Sequence, residues 1–177
     1  GDFVVALAVR DPSDTGVQLR GKQRLERGGI WYTAQSGIWQ PVWMEVVPER
    51  SIEAVALRPD CDQELLVADV DVRGASGLLR LYVSDGDGVQ VGSVAVAVEE
   101  GAVPEGADPA GPARRRVRLT VPVPRPRRWS PDDPHLYDLT LRYGSDAVHS
   151  YTAFRTVEVA PDAHGVFRFL LNGEPLL

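Results

Sequence analysis

Apolar and polar residues alternate along most of this chain with a period of two. From residue 52 to residue 159, seven segments read as strands separated by turn-forming residues: 52–58, 64–72, 78–84, 89–98, 116–123, 136–143 and 147–159. In the second, Leu66, Ala68, Val70 and Val72 face one way while Asp69, Asp71 and Arg73 face the other. In the fifth, Val117, Leu119, Val121 and Val123 oppose Arg116, Arg118 and Thr120. Such alternation sets one face on a core and one in water, as in antiparallel sheets. Gly92-Ser93 shifts the phase of the fourth segment, which predicts a β-bulge. No window sustains the 3.6-residue apolar period of a helix. Seven alternating strands in about 110 residues predict an immunoglobulin-like sandwich.

The flanks are less self-contained. Residues 3–10, 30–33 and 42–47 read as strands around a polar, charged stretch at 11–29, and Pro48 ends the series. Three or four strands are too few to close a jelly roll of about eight. Residues 166–177 read as a strand, a turn and the start of another strand. The chain opens with Gly1-Asp2 directly before an apolar run and stops on Leu176-Leu177 in mid-apolar sequence, so both ends predict a polypeptide that continues.

Composition adds bounds. A chain of 177 residues, 44% hydrophobic and 25% charged, has room for one ordinary domain or one domain and part of another. No apolar run approaches the ~18–20 residues of a membrane-crossing helix. The net charge of −6 argues against a nucleic-acid partner, which would want a basic face. A single cysteine, Cys61, excludes an intrachain disulfide and any cysteine-based zinc site.

The candidate chemistry is sparse. The adjacent acids Glu99-Glu100 and Asp132-Asp133 fall in predicted loops, where neighbouring carboxylates project apart into solvent. His135, His149 and His164 are dispersed, with no partner at metal-ligand spacing, so neither a metal nor a cofactor is expected. Cys61 lies between Asp60 and Asp62, which raise a thiol pKa. The arginines at 114, 115, 116, 118, 125, 127 and 128 lack the interleaved aromatics of a nucleic-acid surface and read as a solvated strand face and loop. Trp31, Trp39, Trp43 and Trp129 invite a sugar-stacking reading. Trp39 and Trp43, however, are an even four residues apart, and along one strand they would share a packed face.

Several motifs in order resemble family 2 glycoside hydrolases, the β-galactosidase, β-mannosidase and β-glucuronidase group. Arg20-Gly21-Lys22-Gln23, Gly29-Ile30-Trp31-Tyr32-Thr33 and Ser36-Gly37-Ile38-Trp39-Gln40-Pro41-Val42-Trp43-Met44-Glu45 are similar to the closing strands of that family's jelly-roll sugar-binding domain. Trp129-Ser130-Pro131-Asp132-Asp133-Pro134-His135-Leu136-Tyr137 resembles the approach to its sixth immunoglobulin-like strand. Phe154-Arg155-Thr156-Val157-Glu158 resembles the last strand, with Ala153 where the family typically has Gly. Leu171-Asn172-Gly173-Glu174-Pro175-Leu176 is similar to the turn that leads into the catalytic (β/α)₈ barrel.

The resemblance implies an all-β chain: residues 1–48 as the truncated end of a jelly roll, 49–160 as the immunoglobulin-like sandwich, and 161–177 as the lead-in to an absent barrel. It implies retaining hydrolysis of O-glycosidic bonds by two barrel glutamates, so no catalytic residue falls here. Asp11 matches by position an acid that some β-galactosidases place on the active-site rim. The chain would then be a non-catalytic scaffold whose partners are the parent's own jelly roll and barrel, with carbohydrate bound through the parent, and without nucleic acid or membrane. Unpaired edges in residues 3–47 predict packing on a second copy as a homodimer, strand exchange or poor order. The alternative is a free-standing carbohydrate-binding or adhesive module with Trp31 or Trp39 as its platform.

Overall fold

The computed structural model describes residues 4–99, 114–162 and 164–175. The chain divides into two compact units, Gly1–Glu45 and Val46–Leu177.

The second unit is a β-sandwich built as the alternation requires. One sheet holds β3 (Ser51–Asp60), β4 (Leu65–Arg73) and β7 (Arg114–Pro122) in that order. The other runs β6 (Gln90–Val98), β5 (Gly77–Ser84), β8 (Tyr137–Tyr143), β9 (Asp146–Thr152). All pairings within both sheets are antiparallel. The three-plus-four arrangement of hairpin-linked strands is an immunoglobulin-like sandwich.

Its core is the inward half of each alternating strand. Leu66, Ala68 and Val70 of β4, with Leu119 and Val121 of neighbouring β7, pack on Leu79, Leu81 and Val83 of β5 and Leu139, Leu141 and Tyr143 of β8, all essentially inaccessible to water. Fully burying a Leu- or Val-sized side chain contributes about 1.5–3 kcal/mol, so this set supplies the driving force for the fold. Tyr137, at the start of β8, packs edge-to-face on buried Phe154 at 5.2 Å. Its hydroxyl accepts the Arg127 N–H at 2.8 Å, in the manner of a tyrosine corner.

The bulge predicted in the fourth segment is present one residue earlier, at Val91, where Val83 pairs with Gly92 but Ser84 pairs with Gln90. Gly92 itself answers to close packing. A Cβ there would lie 2.6 Å from Val121 Cγ1 and 2.7 Å from the Pro122 carbonyl oxygen.

The seventh predicted segment, 147–159, is two strands in two sheets. β9 ends at Thr152, and β10 (Val157–Pro161) pairs instead with β11 (Phe167–Leu171), which in turn pairs with β12 (Glu174–Pro175). The break has a physical cause at Phe154. Its ring is fully buried, its carbonyl accepts the Trp129 N–H at 2.8 Å, and it bridges to Arg128, so the chain is drawn off the edge of β8.

Asn172 then fastens the β11–β12 turn. It sits in the left-handed region at φ 53, which Asn tolerates better than most residues. Its N–H donates to the Thr156 carbonyl (2.9 Å), its side-chain oxygen accepts the Thr156 N–H (3.1 Å), and its amide NH₂ donates to the Trp129 carbonyl (2.9 Å).

The first unit departs from expectation. Residues 3–10 and 42–47 were expected as strands. Phe3 lies outside the described residues, and residues 4–10 and 42–47 form no strand. Of 30–33 only Tyr32–Thr33 (β2) forms a strand, in parallel with Gln23–Arg24 (β1), while Trp31 makes an isolated antiparallel bridge to Gly28. No residue from 4 to 45 is buried. A strand needs a neighbour for its backbone groups, and these apolar segments have none among the described residues.

Candidate functional site

Of the residues singled out in the first unit, Asp11 and Trp39 line one open cavity of about 600 Å³ together with Gln23, Gln35, Ser36 and Gly37 among others, and Trp31 and Trp43 do not. Asp11 is held from both sides. Its Oδ1 accepts the Ser13 N–H at 2.7 Å, a local Asx-type turn, and its Oδ2 accepts the Ser36 hydroxyl at 2.9 Å across 25 residues of sequence. The Gln23 side-chain oxygen accepts the Gln35 N–H at 2.7 Å, tying the same two segments together. Gly37, at φ 136, takes a backbone conformation closed to most side chains and turns the chain into Ile38-Trp39.

The tryptophans differ in what covers them. The ring of Trp31 is capped by the Arg24 guanidinium at 3.9 Å, a cation–π contact. Trp39 is 86% exposed and Trp43 73% exposed, so neither is the packed residue that their spacing predicted. That prediction assumed a strand, and none forms there. Trp39 therefore offers an open indole face beside an oriented carboxylate with spare lone pairs. An apolar ring and hydroxyl-accepting oxygens are the complementary halves of a sugar contact. The sequence singled out Asp11 and Trp39. Gln23 and Ser36 entered only as members of the family-like motifs and Gln35 not at all, because their roles depend on loops meeting in space.

The remaining candidates lie in the second unit. Asp133 is a turn residue whose carboxylate is bound by Arg127 at 2.5 and 2.7 Å. The guanidinium holds the Asp133 carboxyl below the ordinary range. Asp132 beside it is exposed, as is Glu99, while Glu100 lies outside the described residues. His135 stacks edge-on against Tyr137 at 4.8 Å, and His149 Nδ1 is 3.2 Å from the Thr140 hydroxyl. The His164 N–H donates to Asp162 at 2.8 Å. Among the described residues no group of His, Cys, Asp and Glu could hold a metal ion.

Cys61 is buried, and its thiol pKa is raised first by that burial and only secondarily by Asp62 and Asp60, with Arg128 pulling the other way.

The arginine run forms a ladder across the outer face of β3–β4–β7. Arg118 and Arg58 both bind Asp69, Arg116 binds Asp71, and Arg114 and Arg73 flank Glu53. The bidentate guanidinium hydrogen bonds push the Asp69 and Asp71 carboxyls well below the usual Asp value. Arg115 turns instead to the carbonyls of Glu99 and Gly74, both at 2.7 Å.

A second concavity, of about 800 Å³, lies between Leu57, Trp129, Leu136, Tyr151 and Arg155. Arg155 lies 4.9 Å from the Trp129 ring centre.

Comparison with known proteins places the sandwich. The family model of glycosyl hydrolases family 2 matches residues 51–155, from the first residue of β3 to the point where the chain leaves β9. No curated protein matches the chain. Among solved structures, the GH2 β-galacturonidase of Eisenbergiella tayi bound to galacturonate is 19% identical with a TM-score of 0.52, covering 73% of this chain and 22% of that one. The β-glucuronidase of Faecalibacterium prausnitzii is 24% identical with a TM-score of 0.50, covering 73% of this chain and 18% of that one. At such identities the likeness shows the fold. The chain spans about a fifth of the length of these structures. With its sandwich matched from end to end, the chain belongs to family 2 of the glycosyl hydrolases.

Proposed function

We propose that this chain is a non-catalytic scaffold within a retaining, β-galactosidase-like glycoside hydrolase. The sandwich sets a jelly-roll sugar-binding domain, whose closing part is residues 1–48, against a (β/α)₈ barrel reached through residues 161–177. One observation carries the reading. The family match falls on the sandwich, residues 51–155, and the chain spans only about a fifth of the length of similar solved structures. Glycoside hydrolysis with retention needs two carboxyl groups ~5 Å apart, one of them a proton donor, and the reading places that pair in the barrel. The purified 177-residue chain should not turn over chromogenic β-glycosides above a protein-free blank. Turnover abolished by Asp11→Asn or Asp133→Asn would overturn the proposal.

Within the parent enzyme, Asp11 would touch the sugar from the rim through the cavity it shares with Trp39. The open face of Trp39 also favours a second reading, a free-standing carbohydrate-binding module. Isothermal titration of simple glycosides into the chain separates the two. Binding that vanishes in Trp39→Ala supports the module, whereas no binding by the isolated chain supports the scaffold.

A further inference from the structure

The two sheets of the sandwich treat their arginines differently. Eight arginines lie on strands β3 to β9. Six of them, all on the three-stranded sheet, are held by Asp69, Asp71 or Glu53 or, for Arg115, by the carbonyls of Glu99 and Gly74. The other two, Arg80 of β5 and Arg142 of β8, lie on the four-stranded sheet. Among the described residues no hydrogen bond or ion pair holds either of them. They are also direct cross-strand partners, and both are exposed. Like charges set opposite each other on one face repel, so the pair is a cost that nothing described in the sandwich offsets.

The surroundings sharpen that charge. On this outer face the row through the pair reads Ala95, Arg80, Arg142, Ala147. The next row reads Ser93, Tyr82, Thr140, His149. The first row flanks the guanidinium groups with methyl groups alone. The second supplies hydroxyl and ring N–H donors and no carboxylate. The Thr140 hydroxyl is 3.2 Å from His149 Nδ1, and the Tyr82 hydroxyl has no partner among the described residues. The one carboxylate of β8, Asp138, is four residues from Arg142, about 13 Å along an extended strand. Asp146 of β9 is turned to the Ile52 N–H at 2.8 Å. Arg80, Tyr82, Thr140 and Arg142 together line an open concavity of about 550 Å³.

We propose that Arg80 and Arg142 bind a phosphate group between them, with the Tyr82 and Thr140 hydroxyls donating to it from the neighbouring row. Charge decides the class of ligand. A phosphate group carries about −1.5 to −2 at neutral pH and three strong acceptor oxygens, which matches two guanidinium groups. A carboxylate has a single charge and two oxygens, and it leaves one arginine unmatched. Arg80 and Arg142 would act in this way in a scaffold and in a free-standing module alike.

Isothermal titration of inorganic phosphate into the 177-residue chain tests it, with far-UV circular dichroism to confirm the sandwich in each variant. Phosphate should bind one to one, and at least tenfold more tightly than acetate. Arg80→Gln and Arg142→Gln should each weaken it at least tenfold. Arg116→Gln, which removes a paired arginine from the other sheet, should leave it unchanged. In phosphate-free buffer neither Arg80→Gln nor Arg142→Gln should lower the thermal midpoint, because each relieves the repulsion. Added phosphate should raise the midpoint of the wild type and not of these two variants. Glucose 6-phosphate identifies the source: binding at least as tight as that of inorganic phosphate assigns a phosphate ester, and weaker binding assigns the free ion. A chain that takes phosphate no better than acetate overturns the proposal. Equal weakening by Arg116→Gln overturns it too, since it would mean an adventitious ion only, drawn by overall charge.

Discussion

Leu66, Leu81 and Leu141 in the sandwich are wholly withdrawn from water, whereas Val4, Leu19 and Trp39 in the first unit lie open to it. The local sequences are alike: runs of Val, Leu and aromatic residues broken by Gly, Pro and Asp. What separates the two regions is the supply of partners. The described residues between 51 and 152 form seven strands of seven to ten residues, each flanked by another, and two inner faces to press together. Residues 4–45 contain one pair of two-residue strands and one isolated bridge, Gly28 to Trp31. Apolar alternation is thus a necessary condition for a strand, and only a neighbouring strand makes it sufficient.

The sharpest break of that comparison is a truncation made on each side. Phe154→Ala removes a fully buried ring that Tyr137 packs against and should cost the sandwich about 3–5 kcal/mol in a urea titration. Trp39→Ala, which removes a still larger side chain, should cost under ~0.5 kcal/mol, because an exposed ring leaves no cavity. Equal costs would mean that the first unit has a core of its own.

Gly92→Val should follow in size, at about 1–3 kcal/mol, because the added side chain meets Val121 and the Pro122 carbonyl. The same titration measures it. No loss would show that β6 and β7 are not held close.

The strand pattern of the sandwich was legible because burial on one face alone writes itself into every second residue, as in Leu66, Ala68, Val70 and Val72. The break at Ala153–Thr156 was not, because Phe154 continues the alternation of β9 and only its contacts with Arg128 and Trp129 divert the chain. The exposed state of Trp39 and Trp43 was misread for the reason given above: their spacing predicts a shared face only along a strand. Asp11 was legible as a candidate, while its anchoring by Ser36 depends on a loop closure that no local pattern encodes.

The smallest effect concerns pH. Asp69, Asp71, Asp133 and Asp162 are held below the ordinary Asp value of 3.8 by their arginines. Such groups bind protons more weakly folded than unfolded. Their stabilisation is therefore complete above that value and is lost as pH falls through it toward the folded pKa values. The thermal midpoint should stay level from about pH 7 to about pH 5 and decline below about pH 4. Arg118→Gln should shallow the decline slightly, because solvent-exposed pairs are strongly screened. A decline that begins near neutrality would point to His titration instead.

Native-state hydrogen exchange on the whole 177-residue chain tests the difference between the two units most directly. Amides of β4, β5, β7 and β8 should exchange only with global unfolding, and those of residues 4–45 should exchange almost as fast as free peptide. Protection in residues 4–45 comparable to that of β5 would contradict the claim that the sandwich alone is a self-sufficient fold.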